Sequence, residues 1–231
     1  MYRYSYLIAD LSLLVLWLLL FFYRKDVRRE MLVISTMFGI AGLLSEPIYT
    51  SDWWHPLTIT NTRIGIEDFL FGFWIGGVAA VIYEEVFKRR LRPRKAAPKD
   101  NARFLRVSII FSLALAILFF SAFFIFKLNS FYSSLIAFIP LTLLIWIWRK
   151  DLIADSFFSG LLISVIGLLW FWIPELLTPG WINTHWYFKT LSGIVILKAP
   201  LEDLIWGFSA EAYIGPLYEF WQKDRLTKKI T

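Results

Sequence analysis

Seven apolar runs, each long enough to cross the core of a bilayer, constrain this chain more than any other feature of its sequence. In hydrocarbon the backbone must satisfy its own hydrogen bonds, so such runs are expected to be helices. They fall at about Tyr6–Tyr23, Met31–Ile48, Glu67–Phe87, Phe104–Phe126, Phe131–Trp148, Ser156–Ile173 and Leu201–Trp221. With 58% hydrophobic residues and a mean hydropathy of +0.60, the chain is too apolar for one soluble domain. The expected class is all-α, a polytopic membrane protein with seven transmembrane helices. The first run sits where a signal peptide would, but it is long enough to span and lacks a small-residue cleavage site. It also ends in Arg24-Lys25-Asp26, which recurs behind the fifth run as Arg149-Lys150-Asp151, so it is read as a retained span. Pro47 and Pro174 are expected to end spans two and six, and Gly215-Pro216 to bend or weaken span seven.

The formal charge of +6 could point to nucleic acid, yet the basic residues stand between the apolar runs and no nucleic-acid reading module is present. They report orientation instead. Arg24–Arg29, Lys88–Arg106, Arg149-Lys150 and Lys223–Lys229 all fall on one side if the N-terminus is outside and the C-terminus inside. Between Lys88 and Arg106, nine Lys/Arg face the single acid Asp100, with Pro93 and Pro98 interrupting any helix. The expected location is the cell membrane. The absence of cysteine excludes disulfides and thiolate metal sites. His55 and His185 stand in outer connections beside tryptophan, with no second His or Cys at ligand spacing. They are read as interface residues, and no metal is expected.

A stretch that occurs twice organises the rest. Ile66-Glu67-Asp68-Phe69-Leu70-Phe71-Gly72-Phe73 matches Leu201-Glu202-Asp203-Leu204-Ile205-Trp206-Gly207-Phe208 at an offset of 135, and the match continues through Tyr83-Glu84 and Tyr218-Glu219. Earlier in the chain the offset is 125, relating Arg24-Lys25-Asp26 to Arg149-Lys150-Asp151 and Gly42-Leu43-Leu44 to Gly167-Leu168-Leu169. Helices 1–3 are therefore expected to repeat as helices 5–7, with about ten extra residues in the second outer connection. Helix 4 is then an odd linker span, which makes the duplication of the three-helix unit parallel. The expected organisation is a first unit at residues 1–90, a basic loop and linker helix at 91–130, a second unit at 131–225 and a basic tail at 226–231.

Each copy of the stretch puts two adjacent carboxylates at the head of an apolar helix. Acids in a first turn favour the helix dipole and could simply cap it. Their retention in both copies, each followed by an aromatic residue four positions after the Glu (Phe71, Trp206), points to a site. At about 100° per residue the two cannot reach the same spot, so one inward and one interfacial carboxylate per unit is expected. Glu46 and Glu175 end helices two and six on the same side. Glu211 lies about 13 Å deeper than Glu202, near the middle of the bilayer core, where it must be protonated, paired or facing a polar cavity. Gly72 and Gly76 form a GxxxG that allows close helix packing. Glu84, Glu85 and Glu219, among Lys and Arg at cytoplasmic helix ends, are read as interfacial pairs. The 22 Phe, 12 Trp and 10 Tyr make lipid contacts and interface belts, and would also suit a long polyene and a transient carbocation.

At Pro200-Leu201-Glu202-Asp203-Leu204-Ile205-Trp206 the sequence resembles the lycopene cyclase domain family of membrane-integral carotenoid cyclases. The mark of that family is Pro-x-Glu-Glu/Asp-x-x-Phe at the start of the third helix of a three-helix unit, with a Trp-bearing loop and a Gly before it. Trp186 and Gly193 precede the second motif here, and Trp54 and Gly65 the first. Gly65 and Ile66 stand where the first motif would have Pro and its following residue, and Trp206 replaces the Phe. The likeness covers nearly everything except the linker helix.

The resemblance implies that Glu67, Asp68, Glu202 and Asp203 supply the catalytic acids and bases; Glu211 lies outside the family motif. It implies lycopene or a similar linear carotene as substrate and an isomerase reaction, an intramolecular lyase type closing a cyclohexene ring. Phe71 and Trp206 are placed to stabilise the cation. No GxGxxG follows a strand, so no cofactor is expected. The readings that compete are a carotenoid hydratase, in which water captures the same cation, a noncatalytic carotenoid-binding protein and a small transporter. A retinal pigment is argued against because Lys198 precedes helix seven, which has no interior lysine. The oligomeric state stays open, a homo-oligomer included.

Overall fold

The computed structural model describes residues 2–92, 101–222 and 225–228. The middle of the basic stretch, with Pro93 and Pro98, and the last residues of the tail lie outside the described residues. The fold is all-helical apart from two small ribbons. Six helices are long and apolar enough to cross a membrane by length and composition. They are α1 (Tyr2–Tyr23), α2 (Arg28–Asp52), α3 (Ile66–Val86), α4 (Asn101–Phe120, continued by a π-helical turn, Ser121–Ile125), α5 (Ser130–Trp148) and α6 (Ile153–Leu177).

Proline acts differently at three places. α2 and α6 do not end at Pro47 and Pro174, as the sequence suggests, but carry them inside and run on to Asp52 and Leu177. In apolar surroundings a helix that stopped there would strand more backbone groups than the proline itself frees. Ser45 donates to the carbonyl of Gly42 and Thr50 to that of Glu46, on either side of Pro47. The expected seventh helix, by contrast, is divided. A short helix α7 (Trp181–His185) occupies the preceding connection, and α8 (Leu201–Ile214) and α9 (Leu217–Gln222) are separated at Gly215-Pro216. The carbonyl that Pro216 leaves without a donor is that of Ala212, and the Ser156 hydroxyl of α6 donates to it.

The ribbons stand where loop and tail were expected. β1 (Arg89–Arg92) pairs antiparallel with β4 (Arg225–Lys228), joining the chain just after α3 to the chain just after α9. β2 (Val195–Ile196) and β3 (Ala199–Pro200) form a hairpin whose turn residues, Leu197 and Lys198, have φ of 49° and 71°. That hairpin and α7 occupy the longer second connection and deliver the chain directly into α8.

Corresponding contacts relate the two helix triplets. α3 packs most extensively on α2 and also on α1, as α8 packs on α6 and α5. The correspondence stops there, because α1 packs on α6 whereas α2 and α5 meet little, and α4 packs against α5. The α2–α3 contact depends on glycine, as the GxxxG predicts. A Cβ on Gly72 would overlap the carbonyl oxygen of Phe38, and one on Gly42 the carbonyl oxygen of Asp68.

The basic connections gather at one end of the bundle. Arg24 pairs with Asp26 and Glu85, both at 2.9 Å, and with Glu84 at 3.2 Å; Arg149 pairs with Asp151 at 2.8 Å and donates to the carbonyl of Glu219 at 3.2 Å. Glu85 is the interfacial partner the sequence suggests, shared with Lys88. Glu84 and Glu219 are not: both are fully buried. Glu84 precedes Glu85 by one residue and is turned about 100° from it, toward the neighbouring helices.

At the other end the two outer connections are pinned together. His55 N donates to the carbonyl of His185 at 2.8 Å, Tyr187 N to that of Trp53 at 2.9 Å, and the His55 ring stacks on Tyr187 at 4.3 Å. His185 is buried, its Nδ1 within 2.7 Å of the Trp181 carbonyl. These tryptophans and histidines, expected at an interface, form a lid.

Two outcomes follow. Gly72→Val should force α2 and α3 apart against backbone, costing about 1–3 kcal/mol and lowering the melting midpoint in detergent by roughly 3–10 °C. Gly167→Ala, which enters open space, should change it by less than about 2 °C; equal midpoints for the two variants would contradict this packing. Burial lowers the pKa of His55 and of His185, the latter lowered further by the charge of His55. The unfolded lid therefore binds more protons below about pH 6.5, so lid stability is complete above that value and is lost as pH falls through it. Limited proteolysis of the outer connections should accelerate below about pH 6.5 in the native chain and much less in His185→Gln; indistinguishable profiles would refute the coupling.

Candidate active site

The heads of α3 and α8 hold the two acidic pairs, and in each the glutamate and the aspartate serve different ends. Glu67 Oε1 accepts the Ile59 N–H at 2.6 Å, and Glu202 Oε1 accepts the Ser192 N–H at 2.6 Å. Each glutamate thus holds the outer connection that leads into its own helix. The aspartates, one residue on, line a cavity of about 370 Å3 that neither glutamate reaches. Asp68 Oδ2 accepts the Gly65 N–H at 2.7 Å, a capping contact, while Oδ1 accepts the Tyr6 hydroxyl at 3.0 Å. Asp203 Oδ2 accepts two indole N–H groups, from Trp186 at 2.8 Å and Trp53 at 3.2 Å. The expectation of one inward and one interfacial carboxylate per unit holds only in part: the aspartates line the cavity, but the glutamates, at 0% and 5% exposed, are buried against their connections rather than interfacial.

The aromatic residues of the two motifs meet in the same cavity. Phe71 and Trp206 are stacked, with ring centroids 6.2 Å apart and an interplanar angle of 29°. Trp170 packs edge-on to Phe71 at 5.4 Å, and Phe138 and Trp53 pack edge-on to Trp206 at 6.2 and 6.0 Å. The walls come from α2, α3, α4, α5, α6 and α8 and are mostly apolar. Ile40 and Leu44 of α2 and Phe120 of α4 line the cavity and are also exposed on the outside of the bundle. Exposed apolar residues of α2 and α4 therefore stand at the edge of the cavity.

Glu211 lines the cavity from α8. It is fully buried, and neither of its carboxyl oxygens accepts a hydrogen bond from a donor among the described residues. Two acids join the site that the sequence reading leaves out of it. Glu46, carried inward because α2 continues past Pro47, lines the cavity beside Asp68 and the Trp54 indole. Asp10, one turn beyond Tyr6 on α1, is fully buried and accepts the indole N–H groups of Trp170 at 2.9 Å and Trp74 at 3.2 Å. The signal for Asp10 was present in the sequence, since an acid inside an apolar span is costly and needs a partner. Among the described residues the cavity acids do not gather at metal-ligand range.

The model of the family described as lycopene cyclase matches residues 3–86 and 129–221. The two matched stretches carry the two acidic motifs and all the elements around them, and the segment between is that of α4. No curated protein and no solved structure matches the chain. The family match takes in well over half of the chain, including both aspartates and both motif aromatics of the cavity. On that coverage, the chain belongs to the lycopene cyclase family.

Proposed function

We propose that this protein is a membrane-integral carotenoid cyclase that closes a cyclohexene ring at one end of a linear carotene such as lycopene, by proton transfer alone. The observation that carries this reading is that Asp68 and Phe71 of one motif and Asp203 and Trp206 of the other line one aromatic cavity edged by exposed apolar residues. A long polyene dissolved in the bilayer would enter through the apolar rim end first.

The two aspartates have surroundings suited to opposite tasks. Asp68 lies beside Glu46, a second carboxyl, and Tyr6, and neighbouring carboxyls hold a shared proton more readily than two charges. That group is the proton donor. Asp203 receives two indole N–H groups on one oxygen, and indole can only donate, so that oxygen is an acceptor and suits a base. The proton adds to the terminal double bond and leaves a tertiary cation. The next double bond attacks it, forming the ring bond and moving the charge into the ring. Loss of a neighbouring proton to Asp203 restores a double bond, so mass and oxidation state are unchanged. The faces of Phe71 and Trp206 lie where a passing cation gains from ring quadrupoles. Glu67 and Glu202 shape the connections and do not touch the substrate.

We also propose that α8 and α9 together make a seventh span, that the two helix triplets are a parallel duplication, and that the basic end faces the cytoplasm. The sequence offsets, the corresponding helix contacts and the clustering of basic turns at one end support this.

In a lycopene-accumulating host, Asp68→Asn and Asp203→Asn should each reduce cyclised product by about 100-fold or more at unchanged protein level, the scale of a lost general acid or base. Glu67→Gln and Glu202→Gln should lower protein abundance or melting midpoint while leaving most of the turnover per molecule. Loss confined to the glutamate variants would reverse the assignment; a product heavier by one water would indicate a hydratase, and unchanged lycopene with intact protein would exclude this substrate. Because the chain has no cysteine, single cysteines report topology directly. Cysteine at Asn61 should react with an impermeant thiol reagent in intact cells and cysteine at Lys150 only after lysis; the opposite pattern would invert the orientation.

A further inference from the structure

At the end of the bundle away from the cavity, four acids that the cyclisation does not use come together. Glu30 lies in the first turn of α2, Glu84 near the end of α3, Asp155 in the first turn of α6 and Glu219 on α9, and none is more than 1% exposed. Carboxyl oxygens of Glu30, Glu84 and Glu219 lie within 4.8 Å of one another. Asp155 is near enough for its charge to act on both Glu84 and Glu219. The four form two matched pairs in the sequence. Glu30 and Asp155 are related by the offset of 125 that relates Arg24 to Arg149, and Glu84 and Glu219 by the offset of 135 that relates the two acidic motifs. Each helix triplet thus sends in one acid from the start of its second helix and one from the end of its third.

The neighbouring cations are already engaged. Arg24 is spread over Asp26, Glu84 and Glu85 and reaches only Oε2 of Glu84; Arg149 is held by Asp151 and the carbonyl of Glu219. Asp155 Oδ1 accepts the Ser159 hydroxyl at 3.2 Å. Glu84 Oε1, Asp155 Oδ2 and both oxygens of Glu219 accept no hydrogen bond from any donor among the described residues. Carboxyl oxygens this close and this buried must be bridged by protons or by a cation. Oxygen-only, carboxylate-rich sets without imidazole or thiolate suit hard divalent ions. Three carboxyl oxygens within 4.8 Å of one another are close enough to share one such ion. We propose that Glu30, Glu84 and Glu219 bind one hard divalent cation, which ties the two helix triplets together at the basic end.

The test uses the full chain purified in detergent, stripped with chelator, and titrated separately with Ca2+, Mn2+ and Mg2+. Retained metal and the melting midpoint are both read. The native chain should retain about one ion and melt roughly 5–10 °C higher at about 100 times the dissociation constant. Glu219→Gln and Glu84→Gln should each lose the ion and the shift. Absence of both in the native chain, which needs no variant, would overturn the proposal and leave shared protons as the bridge. Equal retention by native chain and variants would place the ion at the surface and overturn it as well. Cyclisation is not the readout, so failure here leaves the cavity assignment untouched.

Discussion

A carboxyl group inside a bundle surrounded by hydrocarbon must be met by a donor, a proton or a cation, and the way each acid of this chain is met sets the shape of the molecule. Asp10 holds α1 to α3 and α6 through the indoles of Trp74 and Trp170. Asp203 at the head of α8 holds Trp53 from the far end of α2 and Trp186 from its own connection. Arg24 gathers Glu84 and Glu85 at the opposite end. Each contact joins elements distant in sequence, so the acids act as pins between helices whose apolar faces alone would leave their register open.

The same groups make the site. A helix turns about 100° per residue, so two adjacent acids at a helix head must face different ways. The glutamates take the outward direction and bind backbone N–H groups of the connections; the aspartates take the inward one. This separates stabilising the entry of α3 and α8 from presenting a carboxyl to a substrate.

The cavity lies where the helix contacts are uneven. α1 packs on α6, but its counterparts α5 and α2 meet little, and α4 lies against α5 beside the gap. Between α2 and α4 the wall is reduced to side chains such as Ile40, Leu44 and Phe120.

Much of this was legible in the sequence. The long apolar runs became helices within a few residues of their expected ends, because backbone hydrogen bonding in hydrocarbon leaves little alternative, and the acidic pairs with Phe71 and Trp206 were visible through repetition. Misread were features that depend on what lies across the bundle: α2 and α6 continuing through Pro47 and Pro174, Glu84 and Glu219 turning inward, Asp10 and Glu46 joining the site. Periodicity along one chain says which residues share a helix face, but not which neighbour that face meets. The sequence by itself therefore determined that the chain is a helical membrane protein with two motif-bearing units. Only the tertiary structure decided that both motifs share one cavity and that aspartate is the acid lining it, since each of these is a relation between helices far apart along the chain.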